Sequence, residues 1–148
     1  MLRRLAGPAI ETTSDTVWQA REELWSSADS AAIAKFSVQP ASVAKTCDRI
    51  NDLADPLGVR WSAVVQGTGL GWLRLEASST PAIRQVLQTL RLELERLGGS
   101  LLVLHRPGLM SVMDAWGSGG DAFPVMLRVK QQFDPRGTLN PGRFIGGI

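Results

Sequence analysis

Between Ala32 and His105 the apolar residues change period in a fixed order, and that order restricts the fold more than any single motif. IAKFSVQ alternates, with Ala34, Phe36 and Val38 on one side and Lys35, Ser37 and Gln39 on the other, the pattern of a half-buried strand. Pro40 stops it. From Ser42 to Ala54, Val43, Cys47, Ile50 and Ala54 recur at helical spacing. VRWSAVV and LGWLRLEA alternate again, with Val59, Trp61, Ala63 and Val65 on one face of the first and Leu73, Leu75 and Ala77 on one face of the second. Thr80-Pro81 opens a second helix, with proline where its missing N–H costs nothing. Its stripe is Ile83, Val86, Leu87, Leu90, Leu94 and Leu97, and Gly98-Gly99 ends it. SLLVLH closes the series. The order βαββαβ predicts an α+β fold of the ferredoxin-like kind, an antiparallel sheet with two helices on one face.

The flanks extend this unit. Leu2 to Leu5 reads as a short first strand, and Asp15 as the N-cap of a helix from Thr16 to Ser26. Val17, Ala20 and Leu24 share one side of that helix, with Trp18 and Trp25 adjacent. Pro107 to Asp121 reads as a loop, with Gly117, Gly119 and Gly120 following Asp114-Ala115-Trp116. A last helix, Phe123 to Phe133, carries Val125, Met126, Val129 and Phe133. After it comes FDPRGTLNPGRF, whose prolines and glycines forbid regular structure. At 148 residues, with no linker or second apolar core, the chain reads as one domain. No apolar run approaches the roughly 18 residues of a membrane helix. MLRRLAGPAIETT lacks the apolar stretch of a signal peptide. One cysteine excludes an internal disulfide and fits a reducing compartment.

The net charge of +2 is too small to point to nucleic acid, and KFSVQP and LRLEAS lack the aromatic and basic pattern of an RNA-binding sheet. Charge is nevertheless uneven. From Pro124 onward Arg128, Lys130, Arg136 and Arg143 face one acid, Asp134, in sequence. Such a tail suits an anionic cofactor or partner, or a plain solvated face.

Catalytic groupings are sparse. His105, the one histidine, stands at the end of an edge-like strand beside Arg106, as a structural or exposed group or as the lining of a pocket. Cys47 lies on an apolar stripe, which favours a small core residue over a nucleophile. Asp48, Asp52 and Asp55 fit a solvated face better than a metal site, and Glu93 and Glu95 point to different sides of their helix. GTGLG, Gly67 to Gly71, joins two strands and opens no helix, so it reads as a hairpin turn, not a phosphate loop. The tryptophans read as core, not as stacking platforms.

The tail carries one resemblance. In VMLRVKQQFDPRGTLNPGRF, the residues Lys130, Phe133, Asp134, Pro135, Leu139, Asn140, Pro141, Gly142 and Arg143 match the ending of FAD-linked oxidases of the vanillyl-alcohol oxidase type. RLAGPA, WSAVVQGTGLGWLRLEA and VMDAWGSGG look most like the FAD-binding E subunits of bacterial glycolate oxidases. The histidine-rich, glycine-aspartate-glycine-asparagine motif of lactate and hydroxyglutarate dehydrogenase relatives is missing, which agrees with an E subunit.

The resemblance implies that residues 1–148 are a single cap-type domain of a flavin oxidase subunit, with the N-terminal FAD-binding domain absent from the sequence. It implies an FAD-dependent oxidoreductase acting on glycolate or a related 2-hydroxy acid within a multi-subunit complex. The isolated chain is then expected to be inactive and to bind no FAD. The implied partners are the missing FAD-binding domain, other glycolate oxidase subunits, and a second copy through the exposed domain interface. The implied setting is cytoplasmic, with membrane association only through the complex. By the family pattern Asn140 and Arg143 are the cofactor-binding residues on the flavin side, or else they only anchor the tail. The competing reading is a non-catalytic ferredoxin-like module for dimerisation or subunit docking.

Overall fold

Strand β1 (Ala31–Ser37) sits inside a four-stranded antiparallel sheet whose order is β2-β3-β1-β4, with β2 Arg60–Val65, β3 Leu70–Glu76 and β4 Ser100–His105. The computed structural model describes residues 16–26, 31–107 and 113–148. Within residues 31–107 the alternating segments are strands, and the two intervening helices, α2 (Val43–Ala54) and α3 (Thr80–Arg96), lie where helical spacing predicts. The fold is therefore α+β. The glycine cluster is a hairpin between β2 and β3, closed by Gln66 N–H to Leu70 O at 2.7 Å. The proposed strand at Leu2–Leu5 and the Asp15 cap lie outside the described residues.

One sheet face and both helices enclose the core. Phe36, Leu73, Leu75 and Leu101 from the sheet meet Ile50, Ile83, Val86, Leu87 and Leu90 from the helices, all fully buried. Phe36 pairs with Gly71 across β1 and β3. A Cβ at Gly71 would lie 2.2 Å from the Phe36 Cζ, so the glycine makes room for the ring. Arg49 on α2 donates through Nε and Nη2 to both oxygens of Glu93 on α3, at 2.7 and 2.6 Å, and joins the helices on their solvent side.

The other face carries α1 (Thr16–Glu23) and the turn after it. Arg74 of β3, almost wholly buried, donates from Nη1 to Leu24 O and Ser26 O, each at 2.6 Å, and its guanidinium also pairs with Glu76. The Arg21 guanidinium lies 4.4 Å from the centre of the Trp72 ring.

Several expectations change. Leu97 is exposed, because α3 ends at Arg96 and the chain unwinds through Gly98 at φ 75°. The amides of Gly98 and Gly99 return to Glu95 O and Leu94 O, a glycine-based helix stop that turns Leu97 out of the stripe. Cys47 is only half-buried, and Thr46 takes the inward position on α2. Trp72 is buried, but Trp18 and Trp25 are exposed. The last helix, α4 (Phe123–Phe133), has no buried residue, and Val125, Val129 and Phe133 of its apolar stripe are exposed. Among the described residues no helix is long and apolar enough to cross a membrane.

Candidate functional site

The site is built where α4 stops. Asp134 leaves helical geometry (φ −137°, ψ 66°), and its carboxylate becomes the receptor for the turn that follows. Oδ1 accepts from Thr138 N–H (2.9 Å) and Thr138 Oγ1 (3.2 Å), and Oδ2 accepts from Leu139 N–H (2.8 Å). Lys130, one turn back on α4, places Nζ 2.6 Å from Asp134 Oδ2 and donates to Leu139 O at 2.5 Å. The Lys130 ammonium, helped by the Leu139 and Thr138 amides, holds the Asp134 carboxyl well below the usual carboxylate range. The i, i+4 spacing on a helix was the sequence signal for this clamp. The backbone partners had none.

The clamp delivers Asn140 at φ 47°, the one positive-φ residue other than glycine among the described residues. Asparagine tolerates that region better than most side chains, and Pro141 disfavours the right-handed helical alternative. Beyond it the chain doubles back: Gly142 N–H reaches Gly147 O (3.2 Å) and Phe144 N–H reaches Ile148 O (3.0 Å). Ile145 is buried. Gly146, at φ 62°, lies against the Phe123 ring, where a Cβ would come within 2.3 Å. The tail's end is thus seated on the start of α4.

A second anchor comes from the loop before α4. Arg91 on α3 is buried and donates to Leu101 O (3.0 Å), Asp114 O (2.8 Å) and Ala115 O (3.1 Å). Burial pushes its guanidinium down from the ordinary arginine value, against the pull of Asp114 and Glu95. Asp114 in turn accepts the amides of Trp116 (3.1 Å) and Gly117 (2.7 Å). The Trp116 ring then meets Phe144 edge-on, with centroids 4.6 Å apart. The tail is held from both sides, by α4 and by α3 through this loop.

Between α4 and the tail lies an open cleft of about 810 Å³. Its walls are apolar, chiefly Val125, Val129, Leu139 and Phe144, and its polar groups are Lys130, Asn140 and Arg143. Both expected site residues therefore line one cleft. Their side chains make no hydrogen bond or ion pair among the described residues. Lys130 is neutralised by Asp134, so Arg143 supplies the uncompensated positive charge. None of the lining side chains is a carboxylate, imidazole or thiol. It can orient a planar or anionic group, but it offers no general base.

The other candidates stand elsewhere. His105, half-buried at the end of β4, faces Ile33 in register; Cys47 and the exposed Asp48 and Asp52 are on α2, and Asp55 follows it. None lines the cleft. Sequence reading passed over Phe144 and Val125 as lining residues and Arg91 as the anchor of the loop.

The family described as FAD linked oxidases, C-terminal domain, matches residues 9–144. No curated protein and no solved structure matches the chain.

Proposed function

The chain belongs to the FAD-linked oxidases, as their C-terminal domain, and from that premise we propose that its α4–tail cleft closes the flavin site of an enzyme oxidising glycolate or a related 2-hydroxy acid. The observation that carries this reading is the pair of polar groups, Asn140 and Arg143, whose side chains are unpartnered among the described residues and line an apolar cleft whose shape is locked by Lys130 and Asp134.

The fit to FAD is partial. An apolar wall with an amide and a guanidinium suits one edge of a flavin ring or the carboxylate of a hydroxy acid beside it. Gly69 donates its amide to Gln66 O within the turn (2.9 Å) and accepts from Val38 N–H (3.0 Å), so the hairpin offers no cradle for a pyrophosphate. Most of the cofactor would thus be held by a flavin-binding domain, a partner of this one. Bound FAD supplies the hydride acceptor for the oxidation. Within this chain, Arg143 would hold the substrate carboxylate or offset negative charge on the ring, and Asn140 would donate its amide to a carbonyl. Val125, Val129, Leu139 and Phe144 would exclude water. The exposed stripe of α4 gives the surface that docks on the flavin domain or on another subunit of the complex. That same stripe favours the second reading, a docking module without a role in the chemistry.

Two measurements test the proposal, and the second separates it from the docking reading. A titration of the 148-residue chain with FAD, followed by flavin fluorescence, is expected to show no tight binding. In the enzyme assembled with its flavin domain, Arg143→Ala is expected to raise KM for the hydroxy acid by about tenfold or more, with FAD content unchanged. Unchanged KM and kcat would leave only the docking role.

A further inference from the structure

The polar groups of the cleft sit on one short piece of backbone with two ends. Arg143 N–H donates to Asn140 O (3.2 Å), so Asn140, Pro141, Gly142 and Arg143 form one turn. The clamp of Lys130 and Asp134 holds the near end, since both side chains bond the main chain of Leu139. The far end is Phe144, which neither side chain of the clamp bonds. Phe144 lines the cleft and meets the Trp116 ring at an interplanar angle of 67°. Trp116 lines no part of the cleft itself.

Trp116 is tied to the core on both sides in sequence. Before it, Ala115 O accepts from Val103 N–H of β4 (2.8 Å) and from Arg91 Nη2 (3.1 Å). After it, Ser118 N–H donates to Glu95 Oε1 on α3 (2.9 Å). Gly117, at φ 80°, lies so close to α3 that a Cβ would come within 2.6 Å of Glu95 Oε1 and 3.1 Å of Arg91 Cδ. Met113, shortly upstream, is buried in the core. β4 and α3 therefore set where the Trp116 ring stands, and the ring sets where Phe144 stands. The seat of Gly146 on Phe123 ties the tail to α4, whereas Trp116 registers it on the core. Taking the cleft as part of a flavin site, as proposed above, we infer that Trp116 is a positioning residue: it fixes Phe144, and through it the placement of Arg143 against a substrate carboxylate.

The test joins hydrogen exchange to kinetics. In the 148-residue chain, Trp116→Ala is expected to speed exchange of the Gly142 and Phe144 amides about two- to tenfold, the range of one aromatic pair, and to leave the Thr138 and Leu139 amides and those of β1 unchanged. Trp116→Phe keeps a ring and is expected to restore the parent rate. In the enzyme assembled with its flavin domain, Trp116→Ala is expected to raise KM for the hydroxy acid about threefold or more, to change kcat less than KM, and to add nothing in an Arg143→Ala background. Unaltered exchange at Gly142 and Phe144, or a KM effect of equal size with and without Arg143, overturns the positioning role. Arg143→Ala alone checks the flavin-site reading. If it leaves KM unchanged, that reading has failed and the positioning role falls with it; if it raises KM and Trp116→Ala does not, the positioning role alone is overturned. Should Trp116→Ala not fold, Trp116→Leu, which keeps apolar bulk and removes the ring, is read in the same way.

Discussion

At Asp134 a single carboxylate receives the Lys130 ammonium, the Thr138 amide and hydroxyl, and the Leu139 amide. These partners favour the charged form, so its folded-state pKa is depressed below the unfolded one, and the sign of the linkage follows. The carboxylate's stabilising contribution is complete above the ordinary aspartate value of about 4 and is lost as pH falls toward the depressed folded-state value. Asp134→Asn is therefore expected to melt below the parent at pH 7, with the gap narrowing steadily below about pH 4 in a series of thermal melts. A gap independent of pH would mean that the clamp does not depend on charge. In the sequence this residue was visible as part of a tail motif, and its link to Lys130 was legible as helical spacing. Its backbone partners were not, because they meet it only after the chain turns through Gly137. Arg74 and Arg91 were less legible still. Charged residues in a strand and in a helix read as solvent-facing, and only the three-dimensional path brings the carbonyls of Leu24, Ser26, Leu101, Asp114 and Ala115 to them.

Among the elements, those with a strict period were readable and those without one were not. β1 to β4 and the two core helices follow from alternation and helical spacing, since burying one face demands that pattern. The last helix shows the limit. Its stripe of Val125, Val129 and Phe133 has the period of a core helix, yet it faces outward. A period reports that a face is meant to be covered, not what covers it. The pairing of Phe36 with Gly71 shows the reverse case, a contact that no pattern announces. Since Phe36 is fully buried and cannot swing away, Gly71→Ala is expected to cost about 1–3 kcal/mol, read as a lower urea midpoint at unchanged slope.

For the whole molecule, stability is concentrated at one end. The sheet with α2 and α3 holds nearly all fully buried side chains, whereas α4 and the tail rest on the Asp134 clamp, the Trp116–Phe144 contact and the Gly146 seat. In hydrogen exchange the amides of α4 are expected to exchange well ahead of those of α3 and β1, and equal protection would show that the two parts open together. This division suits a domain whose variable surface meets a partner while its scaffold stays fixed. The strand order has another consequence, for the making of the chain. Of the four described strands β1 is synthesised before the others and is one that needs two neighbours, yet Ala34 pairs with Leu73 and Val103, roughly 40 and 70 residues later. At translation rates of about 5–20 residues per second, the nascent β1 waits some 3–14 seconds for its second partner. Through that interval Ile33 and Phe36 depend on the first helix and hairpin, or on a chaperone, to keep them from neighbouring chains.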